Sequence, residues 1–233
     1  TNIEGRSEIN VTPSFGVMYR HEKLSLGLMY HHKKTMKFKD QDATLANAIS
    51  SGDPGYSWSS ALLAGLGGSD HKISSELNLP YLFSMGIAYQ FAPVFGAEFN
   101  YVRAGWSTFQ SLDLDFDNDA LDQELHFNYT DTWQLRFGLD FAVVQEKLNL
   151  MLGFVYDQTP QPLASVSPLL PDSDRNDYSI GLEFKSGNWK FTGAYMAVIG
   201  EERTNIENGQ PANPDPAYPV GTYKSVANIF GAG

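Results

Sequence analysis

Two sets of residues have the types and spacing to hold a small molecule. Trp58, Leu62, Leu63 and Leu66 cluster in a stretch otherwise rich in Gly and Ser. Side chains of this kind capture a hydrophobic ligand by burial, worth ~25 cal/mol per Å² removed from water. Lys33, His126 and Arg136 are the candidates for orienting any polar head, since charge-assisted donors suit a carboxylate. Arg136 has a competing use in internal pairing with Asp140 or Glu98. Bond-making chemistry has no comparable support. The five histidines stand at 21, 31, 32, 71 and 126, and adjacent His31 and His32 point to opposite faces of a strand, so they cannot chelate one metal together. No HExxH, GxSxG, P-loop or dinucleotide fingerprint occurs, and Ser25 and His32 fall on opposite faces. The sequence therefore predicts a protein that is not an enzyme, with no catalytic residues, metal site or cofactor.

The elements that must position these residues are strands. Trp133, Leu135, Phe137, Leu139, Phe141 and Val143 occupy one parity, and Gln134, Arg136, Gly138, Asp140 and Ala142 the other. Such alternation makes one face greasy and the other wet. The same pattern predicts eight strands, at 8 to 20, 24 to 38, 77 to 91, 94 to 110, 131 to 144, 147 to 157, 177 to 185 and 189 to 202, with a ninth beginning near Tyr223. These exceed the usual strand of a soluble sheet and match the roughly 9 to 11 residues of a tilted strand crossing a bilayer. Connections alternate short and long, the short ones being 21–23, 92–93, 145–146 and 186–188. A transmembrane β-barrel sorts its loops in this way, with the short turns periplasmic. A soluble β-sandwich has no reason to.

Composition agrees. The 233 residues carry a net charge of −11, 13% aromatics and no cysteine. A barrel strand spends every second residue on its interior, so the lack of a long apolar run is no argument for solubility. The acidic balance disfavours a nucleic-acid partner. The chain opens at Thr1 without a signal peptide, as expected of an internal piece or of a chain from which one has been removed.

The loops add detail. Asp113, Asp115, Asp117, Asp119, Asp122 and Glu124 crowd the second long loop, which reads as a solvated, self-repelling segment or as a bridge to divalent cations on anionic lipid. Asp172, Asp174 and Asp177 surround Arg175 in the third. In the first, residues 42–50 have the spacing for a turn or two of helix, with Asp42 as N-cap and Leu45 and Ile49 four apart. The wet parity carries Gly16, Gly27, Gly86, Gly96, Gly138, Gly153 and Gly181, mostly near the short turns, which reads either as an interior bare enough at that level for a plug or a ligand or as relief of sheet curvature alone.

Leu79-Pro80, Tyr101 to Phe109 (YVRAGWSTF), Tyr156 to Pro162 (YDQTPQP), Leu170-Pro171-Asp172 and Gly221 to Ser225 (GTYKS) resemble, in this order and spacing, the C-terminal half of the FadL-type long-chain fatty acid and hydrocarbon outer-membrane transporters. The resemblance implies an all-β fold: an antiparallel transmembrane β-barrel of fourteen strands, of which residues 1–233 would be a single partial domain of about eight full strands and the start of a ninth. It implies passive uptake of hydrophobic small molecules across the bacterial outer membrane, with lipid and lipopolysaccharide around the barrel and the protein's own N-terminal hatch, absent here, filling its base. It places residues 39 to 76 at the outer capture groove and GTYKS at the start of the last strand. Residues 125–128 read Leu-His-Phe-Asn, so that only His126 could supply the basic residue that fatty-acid transporters can carry there, which turns the expectation towards a neutral hydrocarbon. The alternative functions are an adhesin or phage-receptor barrel acting through the acidic loops, and a general diffusion porin.

Overall fold

Alternation of period two forces a pleated strand, and strands that offer their greasy parity to one side pair into a sheet with one apolar face. The computed structural model describes residues 2–4, 9–47, 51–53, 55–168, 170–214 and 219–233. From the N-terminus the chain forms β1 (Asn2–Glu4), β2 (Ser14–His21), β3 (Leu24–His31), β4 (Lys34–Thr44), helix α1 (Tyr56–Gly65), β5 (Asp70–Leu79), β6 (Leu82–Ala92) and β7 (Phe95–Ala104). Next come β8 (Ser111–Phe116), β9 (Gln123–His126), β10 (Thr132–Val144), β11 (Leu148–Asp157), β12 (Arg175–Ser186) and β13 (Trp189–Gly200). Four two-residue strands, β14 (Arg203–Thr204), β15 (Ile206–Glu207), β16 (Gln210–Pro211) and β17 (Thr222–Tyr223), precede β18 (Val226–Ala232).

These elements sort into two compact units, one from residues 1–12, 33–79 and 108–128, the other from 13–32, 80–107 and 129–233. The second unit is built on nine antiparallel strands in the order β2-β3-β6-β7-β10-β11-β12-β13-β18, each beside its predecessor in the chain. The sheet is not closed, and β2 and β18 are its edges. Its hairpins are tight: Glu22 (φ 45°), Glu146 (φ 64°) and Gly187 (φ 58°) supply the left-handed residue three of them need.

The greasy parity is an apolar wall with one charged residue, Arg103 of β7, among its described strand residues. Phe137 opposes Phe99 on β7 and Phe154 on β11, and Phe154 opposes Tyr178 on β12. Rings stack along it, Phe91 on Phe95 at 5.3 Å and Phe95 on Phe141 at 4.9 Å. Among the described residues of the unit nothing covers this face, where Phe15 is 69% and Trp189 72% exposed. In water each such side chain would forgo about 1.5–3 kcal/mol of burial. In a bilayer, hydrocarbon supplies it, so the wall is the lipid-facing side of an antiparallel β-barrel segment. The buried interior of this unit lies instead in the segments joined to the strands' long-loop ends, around Val166, Tyr129, Gln161, Ser165, Ser173 and Asn205.

The first unit is a five-stranded sheet in the order β1-β4-β5-β8-β9, with α1 between β4 and β5. Ala43, Ile73, Phe109 and His71 are its buried residues.

Several expectations need correction. The strand expected at 24 to 38 is two, β3 and β4, and that at 77 to 91 is likewise β5 and β6, broken at Pro80-Tyr81. Proline has no N–H to give a ladder, so the break falls beside it. The first two long loops are themselves β-structure, since β4 pairs with β5 and β8 with β9. Asp42 is a strand residue opposite Lys72, not a helix cap. Ile49 lies outside the described residues. Thr222-Tyr223 form a short ladder with β14, and the last wall strand begins at Val226.

Candidate ligand-binding site

Of the seven candidate residues, α1 gathers three, and Leu66 is its C-cap. The helix starts after Gly55, which takes a left-handed φ of 95°, and ends where Gly67 and Gly68, at φ 99° and 101°, return the chain. Gly68 N–H donates to the Leu63 carbonyl at 3.0 Å and Gly67 N–H to that of Ala64 at 3.2 Å, consuming the helix's terminal acceptors. A ten-residue helix is marginal alone in water and needs tertiary anchorage. It has three tethers. Asn47 Nδ2 donates to the Ser59 and Ser60 hydroxyls at 2.8 and 3.0 Å. Asn118 Nδ2 donates to the Leu66 carbonyl at 2.7 Å, and the His71 ring lies 3.3 Å from the Gly68 carbonyl.

Anchorage divides the four apolar residues. Leu63 and Leu66 are half-buried. Trp58 and Leu62, one turn apart, are 69% and 51% exposed. A rigidly held helix thus offers an indole and an isobutyl group to solvent.

The cationic candidates are dispersed. Lys33 is exposed just ahead of β4 and forms no ion pair among the described residues. His126 ends β9 with Nδ1 3.5 Å from Glu124. Arg136 belongs to the other unit, on the wet face of β10, where its Nε donates to Gln134 Oε1 on the same strand. It is not bonded to Asp140 or Glu98 as expected.

That wet face forms a groove of about 880 Å³, whose lining includes Arg136, Asp140, Met151, Val155, Ser179 and Thr192. Two of the glycines within it, Gly138 and Gly153, are not bare. A Cβ on Gly138 would stand 2.7 Å from Glu98 Cγ, and one on Gly153 would stand 2.4 Å from Ser179 Oγ, so these glycines make berths for polar side chains lying flat across the sheet.

The acidic residues are also distributed differently from expectation. Asp117 bonds His71 Nδ1 at 2.8 Å, a contact that holds its carboxyl below the usual range. Asp122 accepts from the Phe116 N–H at 2.8 Å. Among the described residues no three Asp, Glu or His side chains are grouped to hold a metal ion. Arg175 pairs with Asp157 and stands 3.7 Å from Asp177, whereas Asp174 accepts from the Tyr156 hydroxyl at 2.7 Å and Asp172 from the Thr159 hydroxyl at 2.6 Å.

Sequence reasoning missed Arg203, which donates to the Asp172 carbonyl at 2.7 Å and the Gln161 carbonyl at 2.8 Å and so fastens two long-loop segments together. Its partners are main-chain carbonyls, which leave no trace in residue types. His71 was missed for another reason, its partner being 46 positions away.

Residues 7–233 match the family described as outer membrane protein transport protein (OMPP1/FadL/TodX). The chain belongs to this family. It is accordingly an outer-membrane chain, and the family is one of transport proteins. Outer membrane protein P1 of Haemophilus influenzae is 29% identical over 175 residues, covering 73% of this chain and 33% of P1. A FadL homologue of Pseudomonas aeruginosa superposes with a TM-score of 0.74 at 21% identity, covering 92% of this chain and 49% of that one. The Ralstonia pickettii toluene transporter TbuX superposes at 0.52 and 16% identity, covering 95% and 46%. Likeness at these identities carries the fold, and the chain spans between a third and a half of its relatives' length. For this member of the FadL family, YDQTPQP and the following Pro-Asp are explained as the Tyr156, Thr159, Gln161, Asp172 and Asp174 network that orders the loops outside the wall.

Proposed function

We propose that this chain forms part of a passive channel taking hydrophobic small molecules across the outer membrane, with no chemical step. The observation that carries the reading is the exposed Trp58–Leu62 face on a tethered helix, in a chain of an outer-membrane transport family. A ligand would first settle on that face by apolar burial, with Leu63 and Leu66 holding the helix for it. It would then pass to the wet side of the wall, where Arg136 orients a polar head if there is one.

The dispersal of the three cationic candidates supports a neutral hydrocarbon over a fatty acid. Lys33 is unpaired among the described residues but precedes β4, and His126 already faces Glu124. The similarity to a protein named a toluene transporter points the same way. We further propose that residues 1–233 are one part of a single barrel domain, that lipid and lipopolysaccharide surround the wall, and that a hatch segment occupies the groove.

The test is uptake by the complete gene product at limiting ligand. Trp58→Asp combined with Leu62→Asp should lower toluene uptake several-fold with folding intact. Unchanged uptake removes α1 from the mechanism.

A further inference from the structure

Arg103 breaks the rule that governs the wall. It stands on the lipid-facing parity of β7, opposite Phe83 of β6 and Trp133 of β10. Among the described residues of the nine wall strands it is the only Asp, Glu, Lys or Arg on that parity. A lipid-facing Arg costs about 2–4 kcal/mol at the bilayer midplane and little near the interface. Arg103 is one residue from the end of β7 that leads into a long connection, which is the outer interface of a barrel whose short turns are periplasmic.

The side chain is held in place there. Tyr81 lies across Gly105 so closely that a Cβ on the glycine would stand 1.9 Å from the ring. The Tyr81 hydroxyl accepts from Arg103 Nε at 3.3 Å and donates to Asp131 Oδ2 at 3.3 Å. Asp131 in turn meets Arg103 Nη2 at 3.2 Å and accepts from the Ser107 N–H at 3.0 Å through its other oxygen. The guanidinium therefore touches Asp131 at one point, not through its two-pronged edge, it also meets the Tyr101 side chain on its own strand, and its side chain stays 44% exposed. The Tyr30 ring is 6.3 Å from that of Tyr81, which adds an interfacial aromatic, and its hydroxyl lies 2.9 Å from His32 Nδ1. A pre-oriented, partly open guanidinium beside tyrosines at the membrane surface has the chemistry to bind a phosphate monoester.

We propose that Arg103, positioned by Tyr81 and Asp131, binds the phosphate of an outer-leaflet lipid head group, the phosphorylated glucosamine of lipid A. The inference needs only the outer-membrane location and is independent of what the channel carries. The competing use of the cluster is purely structural, an ion pair fastening residues 105–131.

The experiment is native mass spectrometry of the complete gene product in detergent, titrated with bisphosphorylated lipid A and with the same lipid A after removal of its phosphates. Wild type should prefer the phosphorylated form about tenfold, and Arg103→Gln should abolish the preference while the barrel keeps its heat-modifiable gel mobility. Asp131→Asn separates the two uses without relying on the Arg103 variant. Tyr81 still holds Arg103 Nε in this variant, so removing the negative charge that competes with the phosphate should tighten lipid A binding; equal or weaker binding would overturn the proposal. Equal binding of both lipids by wild type, or a preference that survives Arg103→Gln, would overturn the proposal.

Discussion

His71 Nδ1 lies 2.8 Å from Asp117 Oδ1, and the other ring nitrogen lies 3.3 Å from the Gly68 carbonyl, so one buried imidazole ties the end of α1 to the turn after β8. The Asp117 N–H also donates to the Lys72 carbonyl at 2.9 Å. Through these bonds the helix that presents Trp58 and Leu62 is fastened to a loop far from it in sequence.

The pH dependence of that fastening follows from the direction of the Asp117 shift. Its carboxyl is held below the ordinary 3.8, first by the hydrogen bond from His71 and then by the Lys72 backbone. A depressed folded value stabilises the ionised form, so the contribution is complete above 3.8 and is lost as pH falls through the lower folded value. Hydrogen exchange at the Asp117 amide, corrected for intrinsic rates, should stay protected down to about pH 4 and open below it. Asp117→Asn should flatten that profile.

The two faces of α1 should separate under mutation. Leu63→Ala and Leu66→Ala remove half-buried groups and should loosen the helix by about 1–2 kcal/mol, seen as faster proteolytic cleavage between residues 51 and 70. Trp58→Ala and Leu62→Ala should leave cleavage unchanged and weaken ligand capture. A common effect of all four on proteolysis would show that the helix has no free face.

Glycine berths on the wet face predict steric sensitivity. Gly138→Val places its side chain where Glu98 Cγ now lies, 2.7 Å from the Cβ position, and Gly153→Val does the same against Ser179. Overpacking of this kind costs about 1–3 kcal/mol. Heat-modifiability on gels should shift to lower temperature by several degrees for each, and the double variant Gly138→Val with Glu98→Ala should recover most of the loss.

Arg203→Ala leaves the carbonyls of Asp172 and Gln161 without their donor, at a cost of about 3 kcal/mol if water does not replace it. The expected readout is cleavage within residues 158–174 at protease levels that spare the wild type. Arg203→Lys should rescue only in part, since one ammonium cannot span both carbonyls as the planar fork does.

The wall was legible because its signal has period two and survives on every strand, Trp133 through Val143 being the plainest case. Strands β4 and β5 were not, because Lys34-Thr35-Met36-Lys37 and its neighbours carry polar residues on both parities. The break at Pro80 was hidden because Leu79, Tyr81 and Phe83 keep the apolar parity across it. The apolar composition of residues 58–66 was legible, yet the helical spacing of Asp42, Leu45 and Ile49 pointed to the wrong segment, since Asp42 sits in a strand ladder with Lys72. Long-range polar partners such as His71 with Asp117, and donors to backbone such as Arg203, have no local pattern to read.

Uptake in a strain deleted for this gene tests the central claim most directly. Cells complemented with the wild-type gene should take up labelled toluene at limiting concentration several-fold faster than the deletion strain, cells carrying Trp58→Asp and Leu62→Asp should fall back towards it, and entry of a small sugar should be the same in all three. Equal toluene uptake with and without the gene, or a gain in sugar entry matching the gain in toluene, would contradict a hydrophobic-ligand channel.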